Sequence, residues 1–192
     1  MKIAIHQPEH FPYMGFFEKL KACDVFVLLD DVQYKKNNFQ NRNRFLNKQG
    51  IEEWFTVQIE KGSSRRLINE IKVSKQTLWK EKIINKLKHN FKKDYSFIYD
   101  YDLLVDINKA SIEYAMKKMK IEKQIVKSSD IEKSGKKTEL LISICKSLGA
   151  SSYVSGIGGK NYLDIELFKK NNIELNFINP EIKNIYSVVQ YL

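Results

Sequence analysis

Residues 3–44 read IAIHQPEHFPYMGFFEKLKACDVFVLLDDVQYKKNNFQNRNR. Residues 2–6 form a short apolar run that predicts a buried strand and ends at His6-Gln7-Pro8. From Met14 to Cys23 the apolar residues Phe16, Phe17, Leu20 and Cys23 fall at the spacing of one helix face. Asp24 then introduces VFVLL, a fully apolar run of β-branched and aromatic residues, as in a strand buried on both faces of a parallel sheet. A right-handed β-loop-α-β crossover puts the ends of both strands on one sheet edge. That edge collects His6, Gln7 and Pro8 from the first run and Asp30, Asp31, Gln33 and Tyr34 from the second. Asn37, Asn38, Gln40, Asn41, Arg42, Asn43 and Arg44 follow directly. Polar groups crowded at the ends of buried strands are costly unless they face a ligand or each other. The carboxyl edge of an open α/β sheet is also where such folds bind ligands.

The last third repeats the pattern. Thr138–Leu148 predicts a helix with Gly149 as its stop. Ser152–Ser155 reads as a strand, 156–159 as a turn, Asn161–Lys170 as a helix and Glu174–Ile178 as a strand. Between the two α/β portions, Arg44–Leu46 and Glu53–Ile59 predict a hairpin turning near Lys48-Gln49-Gly50. A polar basic loop at 61–66 precedes a short strand at 67–73. Helices follow at Gln76–Phe91 and Ile107–Met119, then a strand at Gln124–Lys127. The expected class is α/β: a three-layer, mostly parallel, Rossmann-like sheet with flanking helices and a helical segment around 76–119. The chain reads as a single α/β domain over 1–192, with 76–119 as a helical subdomain or lid.

The chain has 192 residues, of which 43% are hydrophobic, enough for a sizeable core. Three Pro and eight Gly exclude a linker-rich chain. The formal charge is +10, which suits anionic partners. The lysines concentrate between 72 and 137, on what read as solvated helix faces, so a charged surface explains them better than a nucleic-acid module. No nucleic-acid partner is expected. Two cysteines, Cys23 and Cys145, stand in apolar helical contexts without metal spacing, as suits a reducing cytosol. Met1-Lys2 leads straight into the first strand without a signal-peptide pattern. No segment approaches the roughly 18 apolar residues of a membrane span. A cytoplasmic protein is expected.

Four groups carry the candidate chemistry. His6 closes a strand, where an imidazole can meet a ligand; the alternative is a core histidine satisfied by backbone. His10 is separated from it by Gln7-Pro8-Glu9, so the two do not share a helical face, and no third ligand follows; no metal is expected. Asp30 and Asp31 alternate faces, so one can orient an imidazole or act as a base; the alternative is a turn cap. In NNFQNRNR, strand geometry places Gln40, Arg42 and Arg44 on one face and Asn41 and Asn43 on the other. Amides and guanidinia suit multidentate binding of sugars and phosphates, against the plainer reading of a polar edge strand. Ser155-Gly156-Ile157-Gly158-Gly159 joins a strand to a helix, where glycines let an anion approach backbone N–H groups. It matches neither a dinucleotide fingerprint nor a Walker loop, and tight turn geometry is the alternative. Lys160 and Tyr162 stand beside it.

Three segments carry a resemblance: IAIHQPEHFPYMGFFEKL, FVLLDDVQYKKNNFQNRNR and KTELLISICKSLGASSYVSGIGGKNYLD. With these the chain resembles the WbqC-like family, found in bacterial gene clusters for O-antigens and other surface polysaccharides. The resemblance runs from residue 3 to about 178 and is weakest in the helical middle. It implies a role in making or modifying surface-glycan sugars. It also implies site positions at His6, Gln7, Pro8, Tyr13, Gly15, Asp30, Asp31, Gln33, Tyr34, Asn38, Gln40, Asn41, Arg42, Asn43, Arg44, Ser155, Gly156, Gly158, Gly159 and Tyr162. This chain departs from typical relatives at His10 and Tyr13-Met14, where they carry Tyr and Trp, so the aromatic wall of the site differs. Relatives also continue past the last strand with a further apolar segment, where this sequence runs to Leu192.

The resulting expectation is a transferase of surface-polysaccharide synthesis. It moves an acyl or aminoacyl group, from a donor the sequence does not specify, onto the amine of a nucleotide-linked deoxyamino sugar. His6 is the expected base, Asp30 or Asp31 its orienting group, residues 38–44 the sugar or diphosphate ligands, and 155–159 the phosphate loop. Two other readings stand beside it. One is an ATP-dependent nucleotidyltransferase or ligase similar to the HUP type, whose HxGH motif is absent from HQPEHFPYMG. The other is a non-catalytic sugar-nucleotide binding subunit.

Overall fold

The computed structural model describes residues 1–76, 78–179, 182 and 185–192. They form two compact units. The first comprises Met1–Gln7, Gly15–Leu29 and Glu122–Lys183. The second comprises Pro8–Met14, Asp30–Ile121 and Asn184–Leu192.

The first unit is built on a five-stranded, wholly parallel sheet. Its strands are β1 (Lys2–His6), β2 (Val25–Leu28), β5 (Gln124–Lys127), β6 (Ser152–Gly156) and β7 (Glu174–Ile178), in the order β5-β2-β1-β6-β7. Helix α1 (Met14–Lys21) joins β1 to β2. Alternation along the strands sorts the core into two layers. Ile3, Ile5, Val25, Val27 and Tyr153 pack with Ile142, Ile144 and Cys145 of α4 (Thr138–Ser147) and Phe168 of α5 (Ile165–Lys170). On the other face Phe26 meets Phe16 of α1 at 4.9 Å between ring centroids. Helices thus cover both faces of a mostly parallel sheet, the three-layer α/β arrangement expected. Gly149 ends α4 in the left-handed region, at φ 65°.

One expectation fails here. The helix expected from Asn161 starts at Ile165, because Asp164 caps it: the side chain accepts a hydrogen bond from Leu167 N at 2.9 Å. Residues Ile157–Asn161 form a 3₁₀ turn instead.

The second unit contains the antiparallel hairpin β3 (Arg42–Leu46) and β4 (Glu52–Thr56), with helices α2 (Leu78–Phe91) and α3 (Leu104–Lys118). The helix expected from Gln76 includes residue 77, which lies outside the described residues. The expected strand at 67–73 is not formed. Ile68–Glu70 make a 3₁₀ turn, and the flanks make only isolated bridges, Gln33 with Leu67, Ile59 with Val73 and Lys72 with Leu103. The core of this unit is aromatic. Phe11 meets Tyr95 at 5.5 Å, Phe45 meets Phe91 at 4.9 Å and Trp79 meets Tyr99 at 6.0 Å, all edge to face.

The segment after His6-Gln7 is pinned within the second unit. Phe11 has φ 42°, a region a bulky residue rarely adopts. Three polar side chains hold it there. Its N–H donates to Ser111 Oγ at 3.0 Å, and its carbonyl accepts from Asn43 Nδ2 and Ser187 Oγ, both at 2.8 Å. Strained backbone persists only where neighbours over-determine it in this way.

Candidate functional site

In the first unit the strand order reverses between β1 and β6. From β1 the chain builds outward through β2 and β5, then returns to place β6 and β7 on the opposite side. Such a switch point leaves a crevice at the carboxyl ends of the two strands, the usual ligand site of an open α/β sheet. β1 ends there at His6, followed by Gln7. β6 ends at Ser155-Gly156, followed by the 3₁₀ turn.

His6 shares the α1 face of the sheet with Ala4. Its ring stands edge-on to Phe16 at 5.0 Å. Its Nδ1 lies 2.9 Å from the Gln7 carbonyl. A carbonyl only accepts, so Nδ1 carries the proton and Nε2 is the basic nitrogen. Burial, with a smaller push from the Lys19 ammonium, lowers its pKa to about 3 against the opposing Gln7 hydrogen bond. The imidazole is therefore neutral at physiological pH.

Lys19 is the residue that sequence reasoning missed. It is only 8% exposed, and its Nζ donates to the Ile5 carbonyl at 2.7 Å. This places a buried cation beside the end of β1. The available signal was its position on the α1 stripe, three residues after Phe16. A lysine there reads as a long chain reaching outward to water.

The glycine turn separates into two parts. A Cβ on Gly159 would stand 2.1 Å from Ser155 Oγ, so packing requires glycine there. Ser155 is buried, and its hydroxyl donates to the Gly156 carbonyl at 3.1 Å. At Gly156 and Gly158 a Cβ would meet nothing within 4 Å. Gly156 has an extended backbone that any residue adopts, so neither crowding nor φ requires glycine there. What glycine leaves at 156 and 158 is open backbone, which suits close approach of a ligand. Tyr162 is 72% exposed.

The remaining expected positions belong to the second unit, apart from Gly15 in α1. The chain passes between units at Gln7–Pro8, Met14–Gly15 and Leu29–Asp30. Asp30 is fully buried and its backbone carbonyl accepts from Asn69 N at 2.9 Å, while Asp31 is half-buried. Tyr13 bridges to Ser187, and burial and the Glu9 charge raise its hydroxyl pKa. Gln33 is exposed. Asn38 accepts Asn41 N at its backbone carbonyl, at 3.2 Å.

Within NNFQNRNR some side chains are bound up in the fold. Gln40 Oε1 accepts Lys35 N at 2.9 Å. Asn43 holds the His10 and Phe11 carbonyls, and its Oδ1 accepts Arg44 N at 2.8 Å. Arg42 and Arg44 share one strand face, with their guanidinium carbons 4.5 and 5.3 Å from the Trp54 ring centroid. Arg44 also pairs with Glu52 at 3.1 Å. Tyr34 and Asn41 are buried, yet the Tyr34 hydroxyl and Asn41 Oδ1 have no hydrogen-bond partner among the described residues.

His10 belongs to the fold. It is fully buried, its Nε2 stands 3.2 Å from the Tyr99 hydroxyl, and burial lowers its pKa to about 3. Burial pushes the Cys23 thiol up to about 11 and the Cys145 thiol up to about 12, which keeps both un-ionised. Among the described residues no group of three or more His, Cys, Asp or Glu could hold a metal ion. No helix among them is long and apolar enough to cross a membrane.

Residues 7–191 match the WbqC-like protein family, and the chain belongs to it. It is 28% identical over 191 residues to a Mycobacterium tuberculosis (strain ATCC 25618 / H37Rv) protein named "Uncharacterized protein Rv1507c", covering 93% of this chain and 82% of that protein. No solved structure matches.

Proposed function

We propose that this WbqC-like protein is a transferase of surface-polysaccharide synthesis. It places an acyl or aminoacyl group on the amine of a nucleotide-linked deoxyamino sugar. The observation that supports this reading is the β1/β6 switch point, where a neutral imidazole, a buried lysine and an open glycine backbone meet at one sheet edge. The Lys19 ammonium and the Gly156–Gly158 backbone N–H groups offer positive potential to the diphosphate of a nucleotide-linked sugar. The two buried, un-ionised thiols suit a cytoplasmic setting, where the family's implied substrates are activated sugars.

In the reaction the sugar amine lone pair attacks the carbonyl carbon of an activated acyl donor. The C–N bond forms, the bond to the donor's leaving group breaks, and one amine proton departs. His6 Nε2 takes that proton. Its low basicity suits a late transfer, because the N–H becomes strongly acidic only as the amide forms. The Gln7 carbonyl fixes the tautomer, the role a carboxylate fills in other histidine bases.

A thermal-shift screen tests the substrate class. Its panel is UDP-, dTDP-, GDP- and CMP-linked sugars, acyl-CoA thioesters, and ATP with magnesium. A ligand that binds only the folded state raises Tm in proportion to RT ln(1 + [L]/Kd). The expected result is a shift with an amino-sugar nucleotide. A shift with ATP alone supports nucleotidyl transfer, and a silent panel counts against both readings.

A further inference from the structure

The second unit carries a hollow of about 560 Å³ beside the hairpin. Three stretches wall it: the turn from Tyr34 to Asn41, the run from Thr56 to Lys61, and Ser74–Gln76. Two of its lining residues are polar and more than nine-tenths buried, Tyr34 at 3% and Asn41 at 6% exposed. The Tyr34 hydroxyl and Asn41 Oδ1 lack a partner among the described residues. A buried polar group left unmade is expensive to the fold, and such groups in native proteins call for an explanation.

Asn41 cannot relieve the deficit by turning over. Its Nδ2 donates to the Val57 carbonyl at 3.1 Å, and its own carbonyl accepts Val57 N at 2.8 Å. Oδ1 is thereby fixed as an acceptor waiting for a donor. Tyr34 is held beside the Arg42 guanidinium, which opposes the burial that pushes the hydroxyl up to about 12. Arg42 Nε is itself buried without a partner among the described residues. The lining includes three exposed lysines, Lys36, Lys61 and Lys75, and one carboxylate, Glu60.

We propose that this hollow binds a small polyol phosphate. The lysines supply compact positive charges to a phosphate dianion. A phosphate alone does not satisfy Asn41 Oδ1, which needs a donor, so the ligand carries hydroxyl groups as well. One hydroxyl donates to Asn41 Oδ1 and another pairs with the Tyr34 hydroxyl once the side chains that close these two buried atoms from solvent move aside. The proposal rests on the second unit alone and is independent of the transfer reaction at the β1/β6 crevice.

Titration calorimetry on the full chain with glucose 1-phosphate, ribose 5-phosphate, inorganic phosphate and glucose tests it. At least one sugar phosphate saturates a single site, and phosphate and glucose each bind roughly tenfold or more weakly. Tyr34→Phe weakens sugar-phosphate binding about tenfold, while its Tm stays level or rises because a partnerless buried hydroxyl is gone. The double variant Lys36→Gln, Lys75→Gln, at two exposed positions, weakens binding of the sugar phosphate and leaves glucose unaffected. The proposal is overturned if no sugar phosphate saturates, if inorganic phosphate binds as tightly as the sugar phosphates, or if affinity is unchanged in both variants.

Discussion

Gly159 and His10 show how single residues limit what this chain tolerates. A methyl group at 159 would collide with Ser155 Oγ at 2.1 Å, and Ser155 is itself buried. Gly159→Ala is expected to destabilise the first unit by about 1–3 kcal/mol, the range for overpacking. Adding Ser155→Ala should recover part of that loss. Urea unfolding of the single and double variants gives the coupling. His10 sets a pH dependence. Folded, it resists protonation down to about 3; unfolded, it protonates near its ordinary value of 6.5. The unfolded state therefore binds more protons between those values. Stability is fully present above the upper value and declines as pH falls, by about 1 kcal/mol per pH unit from this group. Unfolding free energies between about pH 7 and about pH 4.5 should fall less steeply in His10→Gln than in the native chain. Equal slopes would show that His10 does not hold that shift.

At the scale of elements, the loop from Pro8 to Tyr13 depends on β3. Asn43 donates to two successive carbonyls, His10 at 3.1 Å and Phe11 at 2.8 Å. Asn43→Ala leaves the buried His10 carbonyl without that donor and loosens the unusual Phe11 backbone. A destabilisation of about 2–3 kcal/mol is expected, read by thermal or urea unfolding. Asn43→Asp, which removes the donor and adds charge, should fare no better. β1, β5 and β7 fall at their expected bounds and β2 and β6 within a residue of theirs; the apolar runs IAI and VFVL mark the buried central strands β1 and β2. The expected strand at 67–73 is cut short because Ile68–Glu70 curl into a 3₁₀ turn, which leaves only isolated bridges at Leu67, Lys72 and Val73. The apolar spacing of 161–170 does not mark where α5 starts, because Asp164 acts as its cap rather than as a helical residue. The candidate site is legible in the sequence as a sheet edge, through His6, Gln7 and the glycine turn. Two parts are not. The NNFQNRNR run looks uniformly ligand-like, yet Asn43 and Gln40 are committed to backbone, a division that only tertiary contacts reveal. Lys19 is buried by the folding of α1 onto β1, and its place on the apolar stripe is the one local sign that separates it from a surface lysine.

Across the whole molecule, the formal charge of +10 bears on kinetics more than on affinity. Association with a nucleotide-linked sugar should slow as salt is raised, while association with an uncharged sugar should not, since screening acts on the charged partner. Stopped-flow rates across an ionic-strength series check this, and parallel behaviour of both ligands would rule the field out. The proposed transfer depends on the end of β1, where His6 Nε2 would accept the amine proton. The most direct measurement is turnover of the amino-sugar nucleotide that binds, with its acyl donor, followed by mass spectrometry for native protein and His6→Gln. Circular dichroism confirms that both are folded. The expected result is an N-acylated sugar nucleotide from the native chain, a loss of about 10²–10⁴-fold in rate for His6→Gln, and no acid limb in the native pH profile near the ordinary histidine value. A folded His6→Gln protein that turns over at the native rate would contradict it.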